Sequence, residues 1–93
     1  MRQVQKFDLS NSINFSVRMP VGAQILSVGR YMSYLCLWAL VDSDAPKELR
    51  FFDAYPTGYS IPGDAPLHYL GTVQTEDVLS TWHIFERTEV HRA

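Results

Sequence analysis

The stretch "YLCLWALV", residues Tyr34 to Val41, is apolar or aromatic at every position. Side chains alternate between the two sides of an extended chain. One side of this stretch then carries Leu35, Leu37, Ala39 and Val41. A strand that is apolar on both sides is covered on both, so it lies centrally, with a sheet on one face and either a sheet or a partner on the other. This stretch therefore predicts a layered β protein.

The segments around this stretch have the same β character. β-branched and aromatic residues fill short runs separated by Gly, Pro, Asp, Asn and Ser, without the helical period. The predicted strands are Gln3–Asp8, Asn14–Met19, Gln24–Tyr31, Tyr34–Val41, Leu49–Tyr55, Leu67–Gln74 and Leu79–Arg87, the last two forming a hairpin. Such a series of about six to seven strands predicts an all-β fold, either a small antiparallel β-sandwich or a barrel.

Composition indicates one small domain with a mildly acidic surface. The 93 residues are 46 % hydrophobic and 19 % charged, with a net charge of −2. The prediction is a single domain over residues 1–93, with a frayed polar tail at 88–93. The few basic residues are spread along the chain, which argues against general nucleic-acid or anionic-membrane binding. With no apolar stretch long enough to span a membrane, we expect a soluble, cytoplasmic protein.

The sequence shows no motif for a metal or a cofactor, and we predict neither. Cys36 is the only cysteine, which excludes an internal disulfide and Cys-rich zinc sites. Asp42 and Asp44 form a D-x-D pair, but Lys47 stands where a calcium loop needs glycine. We interpret the pair as a turn whose carboxylates accept backbone N–H groups.

Catalysis is also not expected from the sequence. G-x-S-x-G, P-loop, G-x-G-x-x-G and H-E-x-x-H motifs do not occur. The three histidines, His68, His83 and His91, are not at ligand spacing. We therefore predict a protein that is not an enzyme. The enzymatic alternative is a small hydrolase that uses His83 or His68 as its base.

The segment "YPTGYSIPGDAP", residues Tyr55 to Pro66, contains three of the five prolines and two of the five glycines. We predict two turns, around Pro56-Thr57-Gly58 and Pro62-Gly63-Asp64, with Ile61 tucked back between them as an anchor. Proline makes such a segment rigid, as suits a preformed surface. The candidate binding residues, here and beside the turn at Met32-Ser33, are Tyr55, Thr57, Tyr59, Ile61, Asp64, Tyr31 and Tyr34.

Aromatic residues beside loops allow three interpretations. Tyr and Trp offer a protein partner large contact area at low entropic cost. They can also stack on a nucleotide or a base. Tyrosines that rim a small β domain with their phenols in water serve neither purpose. Residue pattern alone leaves these three open.

Five ordered blocks, "MPVGAQILSVGR", "LCLWALVDSDAPKELRFF", "TGYSIP", "YLGTVQ" and "WHIFE", together resemble a family of short uncharacterised bacteriophage and prophage proteins. The resemblance covers about Gln3 to Arg87. The matching positions are Pro20, Gly22, Ala23, Ile25 to Val28, Leu37 to Asp42, Thr57, Gly58, Ile61, Pro62, Tyr69, Gly71, Thr72, Gln74, Trp82, His83, Phe85 and Glu86. The family has no assigned chemistry, so the resemblance implies no catalytic residue.

The resemblance implies a function in infection. We expect a non-enzymatic phage accessory protein that binds and inhibits a host protein, such as an anti-phage defence or CRISPR component, in the cytoplasm of the infected bacterium. The alternatives are a sponge that sequesters a nucleotide immune signal between subunits and a virion-associated structural protein. Because small sandwiches have sheet edges that can pair, we also expect a homodimer.

Overall fold

The computed structural model of the chain describes residues 1–9, 14–32, 34–64, 66–75 and 81–88. It is an all-β fold of seven antiparallel strands in two sheets, as predicted. The strands are β1 (Arg2–Asp8), β2 (Asn14–Pro20), β3 (Gln24–Tyr31), β4 (Tyr34–Asp42), β5 (Lys47–Pro56), β6 (Leu67–Gln74) and β7 (Thr81–Arg87). The described part of the chain holds no helix that could span a membrane.

The predicted strands agree with the observed ones except at a few ends. β5 begins at Lys47 rather than Leu49, because Lys47 and Glu48 pair with the end of β2 in spite of their polarity. The predicted start of the seventh strand at Leu79 lies outside the described residues, as do its preceding turn and the tail beyond Thr88.

Sheet A contains the strands in the order β1-β4-β3, and sheet B in the order β2-β5-β7-β6. β4 is central in its sheet, as its apolar sequence predicted. Its inner side chains are buried together with inner residues of sheet B in one hydrophobic cluster. The fully buried side chains of the cluster include Met19, Leu35, Leu37, Ala39, Phe52, Ala54 and Ile84. The two sheets thus form a sandwich around a shared core.

On the outer side of β4, which no second sheet covers among the described residues, Tyr34 is exposed and Trp38 and Leu40 are half-buried. Cys36 is fully buried, and Lys6 and Tyr31 on the two neighbouring strands meet near it, with the Lys6 ammonium 4.2 Å from the Tyr31 ring centroid. Burial raises the pKa of the Cys36 thiol. Cys36 therefore behaves as a small apolar residue, as expected.

The two sheets approach most closely where β3 meets β6. A Cβ atom at Gly71 on β6 would lie 2.5 Å from a methyl carbon of Val28 on β3. Both strands carry an irregularity in register near this contact, between Ile25 and Ser27 and between Tyr69 and Gly71. Glycine at position 71 thus allows the edge strands of the two sheets to close one side of the sandwich.

Arg50 joins two strands of sheet B by an ion pair and reaches the start of β3 in sheet A by a hydrogen bond. Arg50 on β5 donates to both carboxylate oxygens of Glu86 on β7, at 2.6 and 2.7 Å. Its remaining nitrogen donates to the Ala23 carbonyl, just before β3. The pair raises the pKa of the Arg50 guanidinium, and both side chains are largely buried. A bidentate pair of this kind fixes orientation as well as charge.

The connection from β5 to β6 explains the length of the Pro/Gly segment. Both strands are antiparallel to β7 and lie on either side of it, so they are parallel to each other. The chain must therefore return along β7, from the level of Trp82 to that of Arg87, about 17 Å at strand rise. We call the described residues of this crossover, 57–64 and 66, the strap.

Candidate functional site

The strap passes over the outer face of sheet B. Outer positions of β5 alternate with the core residues Phe52 and Ala54, and they include Asp53 and Tyr55. An outer face would normally expose these two side chains, yet they are only 4 % and 5 % exposed. Tyr59 of the strap stacks on Tyr55 with ring centroids 6.5 Å apart. The strap and this underlying surface together form what we call the strap face.

Both ends of the strap are joined to β7 by backbone hydrogen bonds. The Thr57 amide donates to the Thr81 carbonyl at 3.2 Å, and the Thr88 amide donates to the Pro66 carbonyl at 3.3 Å. These two bonds continue the registers of the β5–β7 and β6–β7 pairs. The strap is therefore pinned at both ends of the strand that it crosses.

A row of aromatic rings runs across the outer face of sheet B next to the strap. Phe85 on β7 contacts Tyr55 on one side and Tyr69 on the other, with centroid distances of 6.3 and 5.6 Å. Tyr59 extends the row from the strap through its stacking on Tyr55. Tilted and offset ring pairs of this kind are the favourable arrangements of aromatic side chains. The row supports the strap where Tyr59 stacks on Tyr55.

A buried charge sits beside this row. Asp53 forms an ion pair with Arg87 at 2.9 Å and accepts a hydrogen bond from the Tyr55 hydroxyl at 3.3 Å. Burial, with the nearby Asp53 charge, raises the pKa of Tyr55, and the hydrogen bond to Asp53 raises the pKa of Arg87. The carboxylate thus holds Tyr55 and Arg87 together on the outer face of sheet B.

His83 connects the strap to the sheet. Its Nε2 lies 2.7 Å from the Thr57 hydroxyl, and its Nδ1 lies 3.0 Å from the Thr72 hydroxyl on β6. The Tyr69 hydroxyl also bonds the Thr72 hydroxyl. A catalytic histidine usually has one nitrogen oriented by a carboxylate, so that the other can take a proton from a nucleophile. Here hydroxyl groups occupy both nitrogens, an arrangement suited to positioning the strap.

The first predicted turn of the segment is confirmed. The Tyr59 amide donates to the Pro56 carbonyl at 3.1 Å, and Gly58 has a positive φ of 86°. At the second, Gly63 also has a positive φ, of 74°. Ile61, predicted to be tucked in as an anchor, is 44 % exposed, so that prediction was wrong. The inward anchors of the segment are Tyr55 and Thr57, because their partners Asp53 and His83 belong to the sheet.

The structure divides the candidate binding residues into two surfaces. Thr57, Tyr59, Ile61 and Asp64 are exposed along the strap, and Tyr55 lies buried beneath them. Tyr31 and Tyr34 face each other at the end of the β3–β4 pair in sheet A, on the opposite layer of the sandwich. The strap residues and the pair Tyr31 and Tyr34 are therefore separate candidate surfaces, and a single partner need not contact both.

Two residues of the strap face were not singled out from the sequence: Asp53 and Arg87. Asp53 offered a signal, since a carboxylate inside an otherwise aromatic strand has to find a partner when buried. The partner itself, Arg87, is 34 positions away along the chain, and no local pattern connects the two.

Asp42 and Asp44 hold a turn and the chain terminus. Their carboxylates each accept a hydrogen bond from the Met1 ammonium at 2.9 Å, and Asp42 also accepts from the Asp44 amide at 3.1 Å. The predicted backbone-accepting role is thus confirmed for Asp42. Among the described residues, no group of His, Cys, Asp and Glu is arranged to hold a metal ion.

An open cleft of about 360 Å³ lies at this end of sheet A. Its lining combines Arg2 and Asp42 with the apolar side chains of Val21 and Leu40. The carboxylate of Asp42 offsets the charge of Arg2, so the cleft offers a phosphate group little net attraction.

Comparison with known proteins places the chain in a family without assigned activity. Neither the curated proteins nor the solved structures that were searched contain a match. A family model described as a domain of unknown function, DUF7352, matches residues 1–93. Its description names neither an activity nor an origin in phage, so the resemblance to phage proteins stays a prediction. The match covers the whole chain, which therefore belongs to the DUF7352 family.

Proposed function

We propose that this domain is a binding protein whose strap contacts a partner protein, with Tyr59 and Ile61 as the apolar contacts and Thr57 and Asp64 as the polar rim. The observation that carries the proposal is the contrast between the two layers of the strap face. Asp53 and Tyr55 beneath are buried, whereas Tyr59 and Ile61 above are 54 % and 44 % exposed.

Preorganisation supports binding by this segment. Hydrogen bonds pin both ends of the strap, His83 holds Thr57, and Tyr55 supports the ring of Tyr59. A surface that is already ordered loses less conformational entropy on association than a flexible loop does. Tyrosine on a rigid support is among the residues that most often dominate binding energy in protein interfaces.

The proposed partner is a host protein of an infected bacterium, which the protein would bind and inhibit in the host cytoplasm. This part of the proposal depends on the resemblance of the five sequence blocks to phage and prophage proteins. A host defence or CRISPR component is the class of target that such a small inhibitor would meet. In this proposal the protein is not an enzyme, and His83 positions the strap.

The test is affinity capture from lysate of a candidate bacterial host, comparing the wild-type protein with single variants. Tyr59→Ala should strongly reduce capture of the partner while the protein stays folded, because the Tyr59 side chain is more than half exposed on the strap. Tyr34→Ala is the matched control, since Tyr34 is 58 % exposed but lies in sheet A. Equal capture by wild type and Tyr59→Ala would refute the strap as the contact surface.

Nucleotide binding, the small-molecule alternative, can be tested with the same proteins. The aromatic row could stack on a base, but Arg87, the cation beside it, is engaged by Asp53. We therefore expect a panel of cyclic and ADP-ribose-type nucleotides to leave the melting temperature of the wild type unchanged. A rise that grows with nucleotide concentration would show binding to the native state and would favour the alternative.

A further inference from the structure

The outer edge of β1 differs from the other sheet edges. β3 and β6 each carry a register irregularity and pack against each other. β2 ends in Pro20, which lacks a backbone donor. β1 runs from Arg2 to Asp8 without proline, glycine or irregularity, and no other described strand pairs with its free side. Regular edges of this kind are templates for pairing with another chain.

Two backbone hydrogen bonds show which residues of β1 face its free edge. The Leu9 amide donates to the Leu35 carbonyl, and the Ser43 amide donates to the Met1 carbonyl, in the same register as the β1–β4 pair. Backbone groups of an antiparallel strand alternate between its two neighbours. The odd positions therefore bond β4, and the even ones direct their N–H and C=O groups outward. The outward set is Arg2, Val4, Lys6 and Asp8.

We propose that β1 pairs antiparallel with β1 of a second copy of this chain, about a twofold axis at Gln5. In this register all four outward residues of each copy find backbone partners, with Arg2 opposite Asp8 and Val4 opposite Lys6. The two copies of sheet A become one six-stranded sheet, in the order β3-β4-β1-β1-β4-β3.

Charge complementarity selects this register over its neighbours. Moving the axis to Val4 would place Arg2 opposite Lys6, and moving it to Lys6 would place the two copies of Lys6 opposite each other. Like charges directly opposite on neighbouring strands are destabilising, and opposite charges are favourable. With the axis at Gln5, both Arg2 side chains face Asp8, and no like charges are directly opposed.

Analytical ultracentrifugation over a wide range of protein concentrations tests whether the pair forms. We expect a dimer with twice the 10.7 kDa mass of the chain. Val4→Pro should give a monomer, because proline removes an outward N–H without removing a bond to β4. Val4→Thr keeps that donor and should remain dimeric. A wild type that is monomeric throughout, or a Val4→Pro variant that is folded and dimeric, would overturn the proposal.

Two further sets of variants test the register. Arg2→Asp alone should weaken the dimer, and combining it with Asp8→Arg should restore the dimer, because the opposed charges are then exchanged. Gln5→Cys should form an intermolecular disulfide on mild oxidation, since residues opposed at a non-hydrogen-bonded position have Cα atoms about 4.5 Å apart. Gln3→Cys is the matched control and should not, because residue 3 faces Phe7 of the other copy. A failed charge exchange, or equal disulfide formation at positions 3 and 5, would overturn the register.

Discussion

Asp53 and Arg87 form an ion pair of 2.9 Å on the outer face of sheet B, and the Asp53 side chain is buried there. The two residues lie on neighbouring strands, and Asp53 also accepts a hydrogen bond from Tyr55. On the outer face of a sheet such a pair is ordinarily exposed to water, where an ion pair contributes little to the free energy of unfolding. Here the pair belongs to a second, smaller layer of structure outside the core, and that layer supports the exposed strap.

Removing the Asp53 carboxylate should destabilise the domain. Asp53→Ala leaves Arg87 and the Tyr55 hydroxyl without their acceptor, and we expect a loss of about 1–3 kcal/mol in the free energy of unfolding. Urea denaturation measures this quantity. Asp44→Ala, which breaks an exposed pair with the Met1 ammonium, is the control and should cost less. Equal losses in the two variants would contradict the role given to Asp53.

Stability should fall in alkaline solution, partly because of Tyr55. Its pKa is raised above the ordinary value of 10.0 by burial and by Asp53. As pH rises past that value, the unfolded chain releases the Tyr55 proton before the folded chain does, so the free energy of unfolding decreases. Tyr55→Phe should reduce this alkaline loss. Unfolding curves at neutral and alkaline pH measure it, and an identical loss in the variant would contradict the assignment.

The contact between β3 and β6 can be tested by adding one methyl group. Gly71→Ala places a carbon against Val28 in the closed side of the sandwich, and we expect a loss of about 1–3 kcal/mol in stability. Val28→Ala removes the obstructing methyl groups, so the double variant should lose less than the sum of the two single losses. Strictly additive losses would show that the two residues do not compete for space.

His83 should control the order of the strap. His83→Ala removes the partner of the Thr57 hydroxyl, so we expect faster hydrogen exchange at the Thr57 and Tyr59 amides and a stability loss of about 1 kcal/mol. His68→Ala, on the exposed part of β6, is the control and should leave both amides unchanged. Unchanged exchange in His83→Ala would contradict the anchoring role.

The sequence predicted the layers of this fold well, because the signals for them are local. From Tyr34 to Val41 every residue of β4 is apolar or aromatic, which indicates a central strand in any arrangement of sheets. Pro20 and Gly22 likewise mark a turn by their own backbone preferences, and Gly22 has a positive φ of 80°. Such features depend on neighbours in the chain, so single-sequence patterns contain them.

The strap face could be predicted only in part. Proline and glycine marked the segment from Tyr55 to Pro66 as irregular and rigid, but its path depends on β7 lying between β5 and β6. That order is set by pairing between distant segments, which leaves no periodic trace in the sequence. The burial of Tyr55 and the exposure of Ile61 both follow from this path. Tyr55, expected among the binding residues, is therefore buried, and Ile61, expected to be tucked in as an anchor, is exposed.

The most direct test of the strap as a binding surface is a dissociation constant. It is measured for the complex of the captured partner protein with the wild type and with each of two tyrosine variants. If Tyr59 is a dominant contact, Tyr59→Ala should weaken binding about 30-fold, which corresponds to about 2 kcal/mol. Tyr34→Ala, equally exposed but on sheet A, should bind as the wild type does. An unchanged constant for a folded Tyr59→Ala variant, or a comparable loss for Tyr34→Ala, would contradict the account.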